Sequence, residues 1–361
     1  MKRQTRIVTI LLIGISLVSC QKLNPPARPL ETPIPSPSRS AALTATPVSI
    51  PNTPPQIAFI STESGQTQLY RIDSKGTDLV QLTFDGSKKA KPAWSPDGNK
   101  LLYQIKQGDT WQIALVNWDG SNPVQLTSAG NNQNPSWSPD GASILFDSDR
   151  NGNRDIYWME SNGANQMSLT GNSANEFAPA YSPDGSIIAY LSEQDATQEE
   201  CTQNAFDSCP QEVYFLDPDG VFIAKVLDLK AYIGGVVWSP DSRLLAIQTS
   251  YFENSELSLY DLQSQTVKPF ISLSEILGTS YPIGPGYFYL RSFSFSPNGN
   301  EDMFCATQDV SDKNGMRMVY SGCYIINVDN KLFTLVRKET VIRSNKDLEN
   351  AAQYSDAVWQ P

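Results

Sequence analysis

The stretches PAWSPDG at 92–98 and PSWSPDG at 135–141 place the same proline, aromatic residue and acidic turn twice in one chain. The aromatic position returns at Tyr181, Trp238 and Phe295, so that Ser-Pro-Asp-Gly occurs three times, Ser-Pro-Asp-Ser at 239–242 and Ser-Pro-Asn-Gly at 296–299. A truncated copy, AVWQP, stands at 357–361. Short alternating apolar runs follow the copies: LLYQI at 101–105, SILFD at 143–147, IIAYL at 187–191 and LLAIQ at 244–248. Period two over so few residues predicts strands, and a motif that keeps returning with such strands predicts a repeat architecture. The motif explains itself as a turn. Pro96 presets its backbone for the second turn position, Asp97 can bond back to the main chain, and Gly98 accepts positive φ. The repeated aspartates therefore read as shape rather than as an acid series.

Together with DIYWM at 155–159, SDRNGNRDIY before it and VQLT at 80–83 and 124–127, these motifs resemble the TolB-type propeller repeat over roughly residues 56–361. The resemblance implies one four-stranded blade per repeat, with the aromatic-motif strand innermost. TolB itself carries an α/β domain ahead of its propeller and serves the Tol-Pal envelope system, and this chain departs from that pattern. Here a proline-rich stretch occupies that place. The ends of the repeat region argue for closure on their own. Strands at 57–61, 68–73 and 79–83 have no motif before them, and the unmatched motif is AVWQP. If Ala357 to Gln360 give the first blade its inner strand, an all-β, six-bladed propeller closes and its open edges disappear.

Residues 1–20 form a separate unit: Lys2, Arg3 and Arg6, an apolar run from Ile7 to Val18, then LVSC ending at Cys20. The run is too short for a stable membrane span. Its pattern resembles the lipobox signal of bacterial lipoproteins, which implies lipidation at Cys20 and a protein anchored outside the cytoplasmic membrane, at the cell surface or facing the periplasm. Residues 21–55 hold ten prolines among Ser, Thr and Ala and read as an extended, disordered spacer. At ~3.1 Å per residue it reaches up to roughly 100 Å. The formal charge of −11 becomes −14 without the three basic signal residues, which opposes nucleic acid and anionic lipid as partners. The expected partner is a protein or another envelope component, the expected state a monomer.

Chemistry is constrained by composition. The chain has no histidine, so Ser-His-Asp, Cys-His and His-based metal sites cannot be built from it. Related enzymes either add a hydrolase domain after a propeller or, in polygalacturonate-cleaving propellers, use histidine. A glycan-binding or carbohydrate-active propeller using a carboxylate pair is the alternative. Residues 147–155, DSDRNGNRD, put oxygen-bearing side chains at alternate positions like the start of a calcium loop, but Trp158 stands where the closing glutamate belongs. A hairpin is the preferred reading, and no metal or cofactor is expected. With Cys20 assigned to lipid, four cysteines remain. Cys201 and Cys209 share one loop, and Cys305 and Cys323 each lie nine residues from Asn314, a natural turn centre. Two disulfides, Cys201–Cys209 and Cys305–Cys323, suit an exported chain.

In a ring of such blades the tight turns gather on one face and the long connections on the other. The expected insertions are 192–211, 272–291, 308–321 and 337–356, all in the second half. The segment 281–289 contributes Tyr281, Tyr287, Phe288 and Tyr289; aromatic residues with Gly and Pro suit a contact surface, although they could also enter the next inner strand. The sequence thus predicts a lipid-anchored, non-catalytic binding propeller. Replacing Cys20 by alanine should leave the protein unlipidated, and intact-mass spectrometry showing an acyl group elsewhere would contradict the assignment.

Overall fold

The computed structural model describes residues 56–62, 64–197, 200–201, 209–251, 254–272, 287–296, 301–311, 317–327, 333–342 and 355–359. The expected signal, spacer and Tyr281 lie outside these residues. The described strands form six four-stranded antiparallel sheets. Blade 1 takes Gln56–Ser61, Gln68–Asp73 and Val80–Gln81, with Ser355–Trp359 as its inner strand. The inner strands of blades 2 to 6 are Lys89–Trp94, Asn132–Trp137, Glu176–Tyr181, Ile233–Trp238 and Tyr287–Phe295. Each lies against the next, and that of blade 6 lies against Ser355–Trp359, which in turn meets Lys89–Trp94. The ring is closed by the C-terminal strand, whose Val358 and Trp359 pair with Ala58 and Ile57.

Successive blades from 1 to 5 are held together by clusters of apolar side chains, and blades 2, 3 and 4 use both sheet faces to do so. Leu102 and Ile113 of blade 2 pack with Trp137, Ile144, Phe146 and Met159 of blade 3; Ala58, Ile60 and Leu69 of blade 1 pack with Trp94, Leu101 and Val116 of blade 2. This burial on both faces explains why second strands such as Ser143–Ser148 and third strands such as Asp155–Glu160 are strongly apolar. The motif tryptophans add direction. Trp137 Nε1 donates to the Ala93 carbonyl of the preceding blade at 3.2 Å, and Trp238 Nε1 donates to Ala180 at 3.1 Å.

The Ser-Pro turns are built as expected, with a further bond from serine. Ser138 Oγ donates to Asp140 at 2.5 Å and accepts the Ser143 amide at 2.9 Å. Ser95, Ser182 and Ser239 repeat both bonds with their own aspartates and strands. Gly141 has φ of 68°, and a Cβ there would sit 3.7 Å from Pro96, so consecutive turns stack proline on glycine. At the Ser242 copy the hydroxyl instead accepts the Asp184 amide at 2.9 Å, linking blades 4 and 5. The VQLT segments also find a role: Thr83 and Thr127 Oγ1 accept the amides of Leu69 and Ile113 and donate to Gln68 and Gln112, extending outer strands of two residues.

Three expected insertions are shorter than the sequence suggested. The strands Glu301–Ser311 and Arg317–Asn327 pair from Asn327 up to Arg317, so 308–311 and 317–321 are ladder rather than loop. Outer strands in blades 4, 5 and 6 run Phe222–Ala231, Thr266–Ser272 and Phe333–Ile342, absorbing the start of 337–356. Tyr287 to Arg291 belong to an inner strand. Backbone pairing there continues through polar residues, which blur the apolar alternation used to set boundaries. Deleting 355–361 should lower stability by on the order of 3 kcal/mol or more, at about 1 kcal/mol per lost strand hydrogen bond, and broaden urea unfolding. An unchanged, equally steep transition would refute closure by this strand.

Candidate functional site

All six inner strands shift register partway along. The irregularities fall between Ala90 and Ala93, Gln133 and Ser136, Phe177 and Ala180, Ile233 and Gly235, and Leu290 and Ser292, and opposite Ala58 to Ile60 in blade 1. In three blades the bulged residue is left-handed and precedes proline: Lys91 at φ 49°, Asn134 at 50° and Ala178 at 49°. Proline disfavours the right-handed helical region for the residue before it, and the left-handed region costs roughly 1–2 kcal/mol for a residue other than glycine. Something must hold these residues in place.

Asp147 does so for two of them. It is fully buried on the second strand of blade 3. Its Oδ2 accepts Asn134 Nδ2 at 2.6 Å within its own blade and the Ala178 amide at 3.0 Å from the next. Arg154 Nη1 donates to Oδ1. Arg154 itself lies over the Phe177 ring at 6.0 Å, and Gln133, with its amide oxygen turned to its donors, accepts from Nη2 at 3.1 Å. Burial pushes the Asp147 carboxyl up, while Arg154, Asn134 and the Ala178 amide pull it the other way. One carboxylate thereby fixes the bulges of two adjacent blades.

The bulges line a cavity of about 230 Å³ where inner strands of blades 2 to 6 converge. Its polar groups include Lys91, Asn134 and Gln248, and Gly234–Gly235 replace the X-Pro pair in blade 5. Gln248 stands against Gly234, where a Cβ would come within 2.8 Å of Nε2, whereas a Cβ on Gly235 would meet nothing within 4 Å. Lys91 is the one charged side chain of the described lining. The chemistry on offer is hydrogen bonding from amides and main chain plus a single cation, in a slot wide enough for a side chain or two.

The residues singled out from sequence are dispersed. Cys201 and Cys209 are joined by a disulfide. Cys305 stands directly opposite Cys323 in the blade 6 hairpin. Tyr287, Phe288 and Tyr289 pair with Asp309, Gln308 and Thr307 at the start of the inner strand that carries Ser292 and Phe293 into the cavity wall, so they sit on that strand rather than in a loop. Residues 147–155 do not converge: Asp149 accepts the Asn131 amide, Asn151 donates to Tyr157, and Asn153 donates to the Asn172 and Ala174 carbonyls. Sequence reasoning missed Lys91, Asn134, Gly235 and Gln248, and it read Asp147 only as the first oxygen of the 147–155 stretch. The available signal was the residue just before each motif proline. Asp147→Ala should cost about 3–5 kcal/mol by leaving Arg154 and the Ala178 amide unpaired in the interior; a urea-derived loss below 1 kcal/mol would show that it does not anchor the bulges.

The TolB beta propeller domain family matches residues 39–152 and 88–209. A Protein TolB homolog from Chlorobium chlorochromatii is 36% identical over 137 residues, 38% of this chain and 31% of the homolog, so the match spans less than a third of that relative. Among solved structures, TolB from Acinetobacter baumannii superposes with a TM-score of 0.59 at 19% identity over 85% of this chain and 67% of its own. A putative TolB from Agrobacterium tumefaciens gives 0.53 at 16% identity over 85% and 99%. A chain of a nidogen/laminin complex gives 0.56 at 9% over 85% and 98%, a likeness of fold alone. Residues 39–209 are thus similar to the TolB beta propeller domain, and the described strands from residue 56 onward form six sheets of one four-stranded kind.

Proposed function

We propose that this chain is a protein-binding module of the bacterial cell envelope, tethered by lipid at Cys20 and holding its propeller out on the 21–55 spacer. The observation that carries the reading is the cavity at the convergence of the bulged inner strands. An extended segment of a partner protein would place one polar or acidic side chain there, against the Lys91 ammonium and the Asn134 and Gln248 amides. Tyr287, Phe288 and Tyr289, together with Tyr281, would contribute contact area beside that entry. The inner strand of blade 6 supports this by carrying three of the four along the same path as Ser292. A Cys305–Cys323 bond would brace the hairpin behind them, as their opposed register favours.

The carbohydrate-cleaving alternative needs two carboxylates facing one space. The described lining supplies Lys91 as its charged group, an arrangement suited to holding a ligand.

Gly235→Leu is the discriminating substitution, because its side chain enters the cavity from a position with no crowding and no positive φ. With a partner isolated by pull-down on the full chain, the variant should bind at least tenfold more weakly, about 1.4 kcal/mol, and melt within a few degrees of the parent. Unaltered affinity in a folded Gly235→Leu protein would remove the cavity from the binding site.

A further inference from the structure

The amide that opens an inner strand is held differently at two neighbouring junctions. Between blades 3 and 4 the Glu176 amide donates straight to a main-chain carbonyl, that of Arg154, at 2.8 Å. Between blades 4 and 5 the corresponding amide, that of Ile233, donates at 2.9 Å to a side chain, Gln211 Oε1. Gln211 opens the third strand of blade 4, and its own Nε2 donates at 2.9 Å to the carbonyl of Cys209. Cys209 is bonded to Cys201. A single glutamine thus connects the disulfide to the first residue of the blade 5 inner strand.

The other end of the bridge is fixed to blade 4. Thr197 and Glu200 form a capping box: the Thr197 amide and hydroxyl donate to Glu200 Oε2 at 2.8 and 2.9 Å, and the Glu200 amide donates back to Thr197 Oγ1 at 3.2 Å. The Cys201 amide follows onto the Thr197 carbonyl at 3.1 Å. Just ahead of this turn, Asp195 Oδ2 accepts the Tyr214 hydroxyl at 2.8 Å from the third strand and the Lys225 ammonium at 2.6 Å from the outer strand. Cys201 therefore stands on a braced turn, and the covalent bond passes that position to Cys209, eight residues on. Both cysteines are only half-buried, so the bridge is open to attack from solvent.

What this connection holds is a wall of the cavity built on glycine. Ile233 is followed by Gly234 and Gly235, and the irregularity of the strand falls between Ile233 and Gly235. Glycine loses more backbone freedom on ordering than any other residue, and no proline fixes the backbone here as it does at 92, 135 and 179. Gly234, Gly235, Val236 and Gln248 all line the cavity, with Gln248 lying against Gly234. We propose that the Cys201–Cys209 bond is a redox control on this cavity, with Gln211 as the positioning residue that carries its state to the blade 5 wall. Its consequence for binding rests on the cavity being the partner site proposed above.

The co-reactant is a dithiol. One of its thiolates attacks a sulfur of the bridge, forming a mixed disulfide and releasing the other cysteine as a thiolate; its second thiolate then displaces the cysteine that remains. Two electrons pass to the bridge, the two cysteines take up two protons, and the dithiol leaves as its own disulfide. Cys209 then loses its covalent tie to the braced turn, and Gln211 loses a fixed acceptor for its amide. The oxidised chain is the binding form and the reduced chain the loosened one.

The test is amide exchange of the full chain at 233–237 and, as an internal reference, at 176–180. It compares the parent, the parent with dithiothreitol, Cys201→Ser/Cys209→Ser and Gln211→Met. Reduction and both variants should each speed exchange at 233–237 by about tenfold or more, and leave 176–180 within about twofold of the parent. Dithiothreitol should add nothing to the double serine variant, which separates this bridge from the other cysteines. Unchanged exchange at 233–237, or equal acceleration of both segments, would overturn the proposal; should the double variant not fold, the reduced parent and Gln211→Met decide. Affinity for the partner isolated by pull-down on the oxidised chain is then measured for the double serine variant beside Gly235→Leu. Losses of about fivefold or more in both uphold the control. A loss in Gly235→Leu alone overturns the redox control and keeps the cavity as the binding site, whereas a loss in neither removes the cavity from binding and the control with it.

Discussion

The pairing of Ser355–Trp359 with Gln56–Ser61 is the constraint on which the rest depends. A propeller blade covers its neighbours with apolar faces, so a ring with one inner strand missing exposes core on one side and a hydrogen-bonding edge on the other. Joining the two ends of the repeat region in one sheet removes both costs together. It also makes the packing between blades mutually dependent, since inner strands are in contact all the way round. The motif tryptophans and stacked Ser-Pro turns then fix how each blade is rotated against the last.

Within that ring, the cavity is a product of backbone irregularity. Regular inner strands would run straight beside one another around the ring, whereas the bulges displace main chain and turn Lys91, Asn134 and Ala178 into left-handed conformations. Asp147 holds two of these bulges at once and does so across a blade boundary. Site geometry and ring geometry are thus one property: disturbing the junction of blades 3 and 4 disturbs the cavity wall.

The parts of the fold that depend on local chemistry were legible in the sequence. Pro96, Asp97 and Gly98 announce a turn because each residue is needed for its own φ or hydrogen bond, and LLYQI or SILFD announce a strand by period. Even the closure was legible, because strands without a motif at one end matched a motif without strands at the other. The register of Cys305 on Cys323 followed from counting residues about Asn314. What could not be read was anything set by partners distant in the chain. Nothing in SILFD marks Asp147 as the ligand of an amide 31 residues on, and Glu176 looks like a surface glutamate until its strand is placed against Asp155. Strand lengths in the later blades failed for a related reason: Thr307, Gln308 and Asp309 are paired by backbone bonds that leave no trace in apolar periodicity.

The claim that the bulged inner strands form the binding site is tested most directly by hydrogen exchange of the full chain with and without its captured partner. The account predicts that new protection concentrates in the peptides spanning 90–93, 133–136, 177–180 and 234–237. Protection confined to an outer strand such as Phe222–Ala231, with these four segments unchanged, would contradict it.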